Sequence, residues 1–317
     1  MFNIRPFRNS DPPQLVEVWQ AQPTERGLVS SVDVLMLEHF VLSKPWFDRY
    51  GLLVAEREGR VVGFVHAGFG PNATQLDLNR ELGVICTLQL MPQYDSNDLR
   101  GQLLNAAEEY LKFHGSRSVV GGAYPPNIPF YHGLFRSSEL PGVFAADEAS
   151  HRTFLGNGYE VAEQFSIMNC QLGRLRPVID RNQRQLQRSF MVRPTLDHTF
   201  SSWWKTCAFG PIQRSQFEVV AKLDNMPCGA LVWWDADLST MGGTGVSIAL
   251  GDLQIEDARR RVGLATFLVS NALKQLKSSG ATTAQVQVPI SNTPGVQFFR
   301  KLGFVEQERG TSYRKAF

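Results

Sequence analysis

The chain contains few cysteines, and none of them forms a recognisable pair. The four lie at Cys86, Cys170, Cys207 and Cys228, without CxxC spacing. This distribution argues against a zinc cluster and against a disulfide framework. We therefore expect buried free thiols and no metal site.

A large excess of charge of either sign is also missing. The 32 basic and 30 acidic side chains leave a formal net charge of +2. No broad positive field is expected, so a nucleic acid is not predicted as the main partner. Any site for an anion must be local.

Long apolar runs are absent as well. No run approaches the roughly 20 residues that a membrane-spanning helix needs. The opening MFNIRPFRNSDPP has no basic stretch followed by an apolar one, as a secretory leader would have. We expect a cytoplasmic protein that does not associate with a membrane.

The sequence does contain an internal repeat. Residues 88–115, LQLMPQYDSNDLRGQLLNAAEEYLKFHG, align without a gap to residues 253–280, LQIEDARRRVGLATFLVSNALKQLKSSG, at an offset of 165. Each copy reads as a strand, a turn and an amphipathic helix. A repeat of this size divides the 317 residues into two domains.

The repeat extends beyond these segments. Each half has a β-hairpin pattern, at 52–69 and at 218–235, and ends in a helix, a glycine and a returning strand. We place the first domain at 1–171, a basic polar linker that could be helical at 172–190, and the second domain at 191–317. The predicted fold is α/β, with a mixed, mostly antiparallel sheet flanked by helices in each domain.

The first domain carries an insertion of about twenty residues in 121–146. It contains aromatic, histidine and acidic side chains among prolines: Tyr124, Tyr131, His132 and Glu139. The segment could be a lid or part of an acceptor pocket, or it could be a rigid covering loop.

The turns of the two repeat copies differ in chemistry. The second copy has Arg260, Arg261, Val262, Gly263, Leu264 and Ala265 where the first has Asp95, Ser96, Asn97, Asp98, Leu99 and Arg100. A helix N-terminus that follows a glycine turn presents backbone N–H groups and a partial positive charge to an anion. Arginines add hydrogen bonds to phosphate oxygens, whereas two aspartates would each cost about 1–4 kcal/mol beside a pyrophosphate. Only the second turn is predicted to hold a phosphate.

The second half resembles a known family. Its turn matches [Gln/Arg]-x-x-Gly-x-[Gly/Ala] after a strand, and it is followed by a helix, the strand QVQVPISN and the helix PGVQFFRKLGF. This pattern, over residues 191–317, resembles the GNAT superfamily of N-acyltransferases. Through the repeat, the first half resembles a divergent second GNAT domain.

The resemblance implies acetyl-CoA, or another acyl-CoA, as the cofactor. In the family, acyl-CoA lies between the strand before the phosphate turn and the next strand. The resemblance implies that the backbone of Leu253, Gln254 and Ile255 binds the pantetheine arm. It assigns the pyrophosphate to the turn residues Arg260, Arg261, Val262, Gly263, Leu264, Ala265 and Thr266. Asn292 would reach the pantetheine or adenosine portion, and Phe299 would pack near the thioester.

The reaction of the family needs an amine that has lost its proton. An alkyl amine has a pKa near ~10.4, so deprotonation at pH 7 costs about 4 kcal/mol. Asp252, beside the same strand, is our candidate for the base. Many family members place a tyrosine where this chain has Phe299, and phenylalanine cannot protonate a leaving thiolate. Tyr313, in the last strand, is our candidate substitute, with solvent as the alternative.

These inferences predict an acyl-CoA-dependent N-acyltransferase that acts on the amine of a small molecule or a peptide. The first domain is predicted to bind no CoA and to shape the acceptor side of the second. A non-catalytic acyl-CoA sensor or scaffold is the alternative function. A purely structural pair of domains is a third possibility, which the glycine and arginines of the second turn disfavour.

Overall fold

The structure is a computed structural model that describes residues 2–175, 181–195, 200–210, 212–236 and 246–317. The chain forms two compact units. Unit 1 comprises Met1–Phe165, Phe200–Pro211 and Arg309–Phe317, and unit 2 comprises Ser166–Thr199 and Ile212–Glu308. Part of the predicted linker and of the segment after the first strand of the second half, at 176–180 and 196–199, lies outside the described residues.

The strands are β1 (Asn3–Pro6), β2 (Leu52–Arg57), β3 (Arg60–Pro71), β4 (Leu78–Leu90), β5 (Ser118–Gly121), β6 (Val143–Phe144), β7 (Glu160–Gln171), β8 (Phe190–Thr195), β9 (Arg214–Ala221), β10 (Pro227–Asp235), β11 (Val246–Ile255), β12 (Ala281–Pro289) and β13 (Val305–Ala316). The α-helices are α1 (Pro12–Gln20), α2 (Val34–Leu37), α3 (Asn97–Phe113), α4 (Glu148–Gly156), α5 (Arg181–Ser189), α6 (Trp203–Phe209), α7 (Leu264–Ser278) and α8 (Thr293–Lys301). Short helical turns lie at Thr24–Arg26, Glu38–Leu42, Pro92–Tyr94, Leu172–Arg174 and Asp257–Arg259.

Unit 1 is built on a sheet in the order β1-β2-β3-β4-β5. Its first four strands are antiparallel, and β4 and β5 are parallel because helix α3 connects them. The apolar face of α3 supplies Leu99, Leu103, Leu104 and Leu111 to a core that the strands complete. The hairpin predicted at 52–69 is confirmed as β2 and β3.

The end of the chain belongs to unit 1. Residues Tyr313–Ala316 of β13 pair antiparallel with β5, and Tyr313 lies opposite Gly121. Earlier residues of the strand, Gly310 and Thr311, pair with β6. The boundary drawn from the sequence put this returning strand in the second domain, because alternation in a strand does not identify the strand that it pairs with.

A second segment from the second half also packs in unit 1. The ring of Trp204 in α6 stacks on Trp46 with centroids 3.9 Å apart. The buried Nζ of Lys44 donates to the carbonyls of Cys207 and Ala208 at the end of α6, at 2.8 and 3.1 Å. These contacts satisfy helix-terminal carbonyls that α6 itself cannot pair.

Unit 2 has a sheet in the order β7-β12-β11-β10-β9-β8. Strands β11 and β12 are parallel and are connected by α7, whose buried leucines pack on the sheet. The hairpin predicted at 218–235 is confirmed as β9 and β10. Strand β7, which the sequence boundary at 171 assigned to the first domain, contributes Met168 and Cys170 to this core.

Mixed, mostly antiparallel sheets flanked by helices confirm the predicted fold class. Three cysteines are buried and Cys207 is half-buried, and all four are free. Among the described residues, no helix combines the length and the apolar character needed to cross a membrane.

Candidate functional site

A cleft opens in unit 2 where two parallel strands separate. The pairing of β11 with β12 runs as far as Leu250 opposite Val286. Just beyond that pair, the register between β10 and β11 shifts, and Asp252 adopts a positive φ of 47°. A bulge of this kind bends its strand and leaves backbone groups unpaired. The two strand ends therefore diverge and expose main-chain groups between them.

The cleft has a volume of about 400 Å³. Its walls come from β10, β11, β12 and the starts of α7 and α8: Leu231, Leu250, Gly251, Asp252, Leu253, Ala265, Val286, Gln287, Val288, Pro289, Asn292, Pro294, Gly295, Phe298 and Phe299. Apolar walls with few polar groups and this volume are typical of small-molecule sites.

The arginine-glycine turn adjoins this cleft, because Ala265 lies both in the cleft wall and in the first turn of α7. Gly263 is the N-cap residue with φ of 90°, and no side chain among the described residues caps the helix. The first N–H groups of a helix have no partner within the helix. The turn thus presents donors and a positive helix end beside an apolar cleft, as a bound phosphate requires.

The turn arginines are arranged differently from one another. Arg260 forms an ion pair with Asp257 at 2.6 Å and donates from Nε to the carbonyl of Ile255 at 3.1 Å. This pair is exposed and therefore weak, so Arg260 can exchange it for another anion. Arg261 is exposed and has no acidic partner within the described ranges.

The other turn residues predicted to bind the cofactor contribute mainly through the backbone. The side chain of Leu264 is buried in the core, Val262 is exposed and Thr266 is half-buried. In β11, Leu253 lines the cleft, while Gln254 is exposed and Ile255 is half-buried. Gln254 lies opposite Ala230 and Ile255 opposite Gly229 in β10.

Asn292 and Phe299 both line the cleft from α8. The Oδ1 of Asn292 accepts a hydrogen bond from the N–H of Gly295 at 3.1 Å, so Asn292 caps α8. Its amide nitrogen is the part that remains available to a ligand. Phe299 is 7% exposed and contacts Phe298 and Phe304 edge-on, which fixes its ring.

The structure brings only one of the two predicted catalytic residues to the cleft. Asp252 is exposed and lines it. Tyr313 is buried in unit 1, where its hydroxyl is 2.5 Å from Nδ1 of His151. Because Nε2 of His151 faces the carbonyl of Phe144, Nδ1 accepts from Tyr313. Burial also raises the pKa of Tyr313. The expectation that Tyr313 serves this cleft is corrected, since its strand pairs with β5.

Sequence reasoning placed the cofactor between β11 and the next strand but named no residue of that strand, β12. Gln287, Val288 and Pro289 line the cleft on the side opposite β11. The alternation of QVQVP before the proline was a usable signal, because it predicts one polar and one apolar face at the strand end.

Unit 1 has a corresponding cleft that is almost filled. Strands β4 and β5 separate after Ile85 opposite Gly121, as their counterparts do in unit 2. Only about 40 Å³ remains, a space for a few water molecules at most. Phe135, Val143 and Phe144 of the insertion line that remnant.

The insertion is therefore a covering segment in unit 1, which supports the rigid-loop alternative. Tyr131 is fully buried and hydrogen-bonded to His66 at 2.9 Å, and His132 is also buried. Tyr124 and Glu139 are half-buried.

Arg26 lines the filled cleft of unit 1. It is 6% exposed and donates to Gln89 at 2.9 Å and to Asp95 at 2.7 Å. Gln89 is the repeat counterpart of Gln254. Arg26 also lies 3.6 Å from Asp147, the N-cap of α4, which corresponds to Asn292 at the start of α8.

The first turn satisfies its own charges. Arg100, 1% exposed, pairs with Asp95 at 2.5 and 2.9 Å, and the hydroxyl of Ser96 accepts from the N–H of Leu99. Burial alone would raise the pKa of Asp95, but Arg100 and Arg26 outweigh it and hold that pKa below its ordinary value. The turn of unit 1 thus contains its own carboxylate, Asp95, whereas the turn of unit 2 is open to an anion from solution.

The part of the chain that the structure describes contains no candidate metal site. No group of three or more histidine, cysteine, aspartate or glutamate side chains lies close enough there to hold an ion.

Comparisons with known proteins identify the fold. Residues 245–314 match the family described as FR47-like protein. A tandem GNAT protein from the clavulanic acid biosynthesis pathway superposes with a TM-score of 0.67 at 12% identity, covering 100% of this chain and 98% of that one. A GCN5-related N-acetyltransferase from Sphaerobacter thermophilus gives 0.65 at 13% identity, with 99% and 95% covered.

A third similar structure is a GCN5-related glucosamine N-acetyltransferase region of a fungal multi-domain β-N-acetylglucosaminidase. It has a TM-score of 0.66 at 16% identity and covers 99% of this chain and 38% of that one. A search of curated proteins finds no match. The resemblance inferred from the turn and its flanking elements is thus confirmed at the level of the fold: the protein has the tandem fold of GCN5-related N-acetyltransferases.

Proposed function

We propose that this protein is an acyl-CoA-dependent N-acyltransferase with its site in unit 2, and that acetyl-CoA is the donor. The observation that carries the proposal is the apolar cleft of about 400 Å³ that ends at an uncapped helix N-terminus. An acyl-CoA has an apolar arm joined to a pyrophosphate, so it matches both parts. The filled cleft of unit 1 matches neither.

The residues present fit this cofactor. The N–H groups of the turn, from Arg261 to Thr266, would hold the pyrophosphate, with Arg260 and Arg261 adding charge. The backbone of Leu253, Gln254 and Ile255 would hold the pantetheine arm, and Asn292 would bind it through its amide nitrogen. Phe299 would pack beside the acyl end. When bound, the acyl-CoA would supply a thioester whose acyl group passes to the amine nitrogen while the C–S bond breaks.

Asp252 is the proposed base. It lines the cleft at the bulge and is exposed, so an amine can approach it from solvent. By accepting the amine proton, a carboxylate there would offset part of the deprotonation cost of about 4 kcal/mol. The bulge also frees backbone N–H groups of β11, which can polarise the acyl carbonyl.

The acceptor is proposed to be the amine of a small molecule or of a peptide. With Tyr313 corrected, solvent is the proposed source of the proton for the leaving thiolate. The phenylalanine at position 299, which cannot donate a proton, favours one second candidate: an acyl-CoA-binding protein without transferase activity.

Calorimetry with acetyl-CoA tests the proposal first. One site per chain is expected, and either no binding at millimolar acetyl-CoA or two equal sites would contradict it. Thiol release in the presence of a panel of small amines and peptides then separates the candidates. Release that depends on an amine supports the transferase, whereas binding without release supports the sensor.

A further inference from the structure

Helix α5, from the predicted linker, lies against the arginine-glycine turn. The Nδ2 of Asn182 donates to the carbonyl of Val262 at 3.0 Å, and the Nε2 of Gln183 donates to the carbonyl of Gly263 at 3.3 Å. All of these residues belong to unit 2. Two consecutive amides thus hold two consecutive carbonyls of the turn.

The approach is close. A Cβ at Gly263 would lie 2.4 Å from Nδ2 of Asn182, 3.4 Å from Nε2 of Gln183 and 3.6 Å from a methyl of Leu186. The φ of 90° favours glycine here, and a larger residue would in addition displace the amide of Asn182 from the turn.

The direction of these hydrogen bonds has a consequence for the turn. In a trans peptide the carbonyl and the N–H point in opposite directions. When α5 holds the carbonyl of Val262, the N–H of Gly263 points away from α5, and the N–H of Leu264 does so likewise. Gly263 also accepts the first intrahelical bond, from Phe267 at 3.0 Å, which aligns its peptide with the axis of α7.

We propose that Asn182 and Gln183 are positioning residues that orient the N–H groups of the turn toward the pyrophosphate of CoA. This inference rests on the proposed function. It also assigns a role to a segment that precedes both the family match and the region of sequence resemblance. Held in advance, the N–H groups lose no free energy to reorientation when the anion binds.

The few buried residues of α5 indicate that it contributes little to the core, which is consistent with a role in orienting the turn. Only Gln183 and Leu186 are buried, and Arg181, Arg184 and Arg188 are exposed on the opposite face. The turn of unit 1 is organised otherwise, since Ser96 caps its own helix and Asp95 lies within the turn.

The experiment uses a double variant of the full chain that carries both Asn182→Ala and Gln183→Ala, and compares it with wild type. Calorimetry measures the Kd of CoA, and competition measures that of pantetheine, which lacks the pyrophosphate. We expect the Kd of CoA to rise about tenfold, as the loss of one to two hydrogen bonds predicts, with the Kd of pantetheine unchanged. Gln185→Ala, an exposed glutamine on the same helix, is the matched control and should leave both constants unchanged.

Three results would overturn the inference: an unchanged Kd for CoA, equal weakening of CoA and pantetheine, or equal weakening by Gln185→Ala. The conservative variant Asn182→Gln, which keeps the amide donor, should recover part of the loss that Asn182→Ala alone causes. If wild type itself binds no CoA, the proposed function fails as well, and the two failures are thereby distinguished.

Discussion

The two strand-turn-helix segments of this chain differ in what lies in front of the helix. In unit 1, the carboxylate of Asp95 occupies the turn and pairs with two buried arginines, Arg26 and Arg100. In unit 2, Gly263 leaves the helix end uncapped beside a cleft ten times larger. The same backbone plan can thus hold an internal anion or be open to an external one. In unit 1, Asp95 thus supplies a negative charge at the turn, and the insertion residues Phe135, Val143 and Phe144 line what little volume remains in the cleft.

The largest expected effect comes from Gly263→Asp, which gives the second turn the residue of the first. A carboxylate at this position opposes the pyrophosphate by about 1–4 kcal/mol, which weakens binding. A non-glycine residue at this φ costs about 1–3 kcal/mol of folding stability. We expect the Kd of CoA to rise at least about 100-fold in calorimetry. Asp98→Gly, the reverse change at an exposed position of unit 1, is the control and should have no effect on that Kd. Binding by Gly263→Asp within threefold of wild type would refute the contrast between the turns.

Asp252→Asn tests the bulge in the open cleft, where unit 1 has Thr87 instead. If the carboxylate accepts the amine proton, kcat should fall about 100-fold, as is typical for loss of a general base. The Kd of acetyl-CoA should stay within twofold, because the turn is untouched. Steady-state rates of thiol release with the best amine give kcat. The matched control is Glu256→Gln, an exposed carboxylate of the same segment, and an equal loss in that variant would count against Asp252.

Asp95→Asn tests the internal anion of unit 1. The change leaves Arg100 buried without its partner, and breaking a buried ion pair costs about 3–5 kcal/mol. Because Asp95 is 21% exposed, we expect a loss just below that range, about 2–3 kcal/mol, in urea unfolding. Asp98→Asn should change the stability little. The Kd of CoA should be the same in both variants.

The pH dependence of stability sharpens the same test. The pKa of Asp95 is lowered in the folded protein from its ordinary 3.8. Such a carboxyl stabilises the fold at pH values above its unfolded pKa, and this contribution is lost as the pH falls through the folded value. The difference between wild type and Asp95→Asn should therefore be constant above about pH 5 and shrink below pH 4. A difference that grows on acidification would contradict the ion-pair explanation.

The smallest expected effect is that of Phe299→Tyr, which restores a phenol that many GNAT proteins carry. A thiolate leaves readily without a proton donor, so kcat should rise by less than about tenfold. Phe298→Tyr, one position earlier on the same helix, should not raise kcat. A rise in kcat of more than a hundredfold would contradict this expectation. It would mean that protonation of the leaving thiolate limits kcat in the wild-type protein.

Much of the local structure could be predicted from the sequence. Hairpins β2–β3 and β9–β10 and the helices after both turns follow from short-range alternation and from residues such as Gly263. The glycine requires no knowledge of distant residues, because a left-handed φ at a helix start already favours it. The difference in charge between Asp95 in the first turn and Arg260 in the second could also be seen without knowledge of distant residues.

The error at Tyr313 has a different origin. Its strand has the same alternation whether it pairs with β12 or with β5, so the sequence left the choice of neighbour open. The structure pairs it with β5 and buries its hydroxyl against His151. The residues of the open cleft that came from β12, such as Gln287, escaped prediction because they face the site only where two strands diverge.

By itself, the sequence determined the repeat and the fold of each half, and it predicted which of the two turns accepts an anion, since these depend on residues a few positions apart. Only the tertiary structure decided that Arg26 lines the first cleft and pairs with Asp95, that α5 holds the second turn through Asn182, and that each unit takes strands from beyond the predicted boundaries. Those outcomes depend on contacts between residues that are distant along the chain. The hydrophobic periodicity of a segment determines which of its faces is buried. Packing across the whole fold determines which other segment that face contacts.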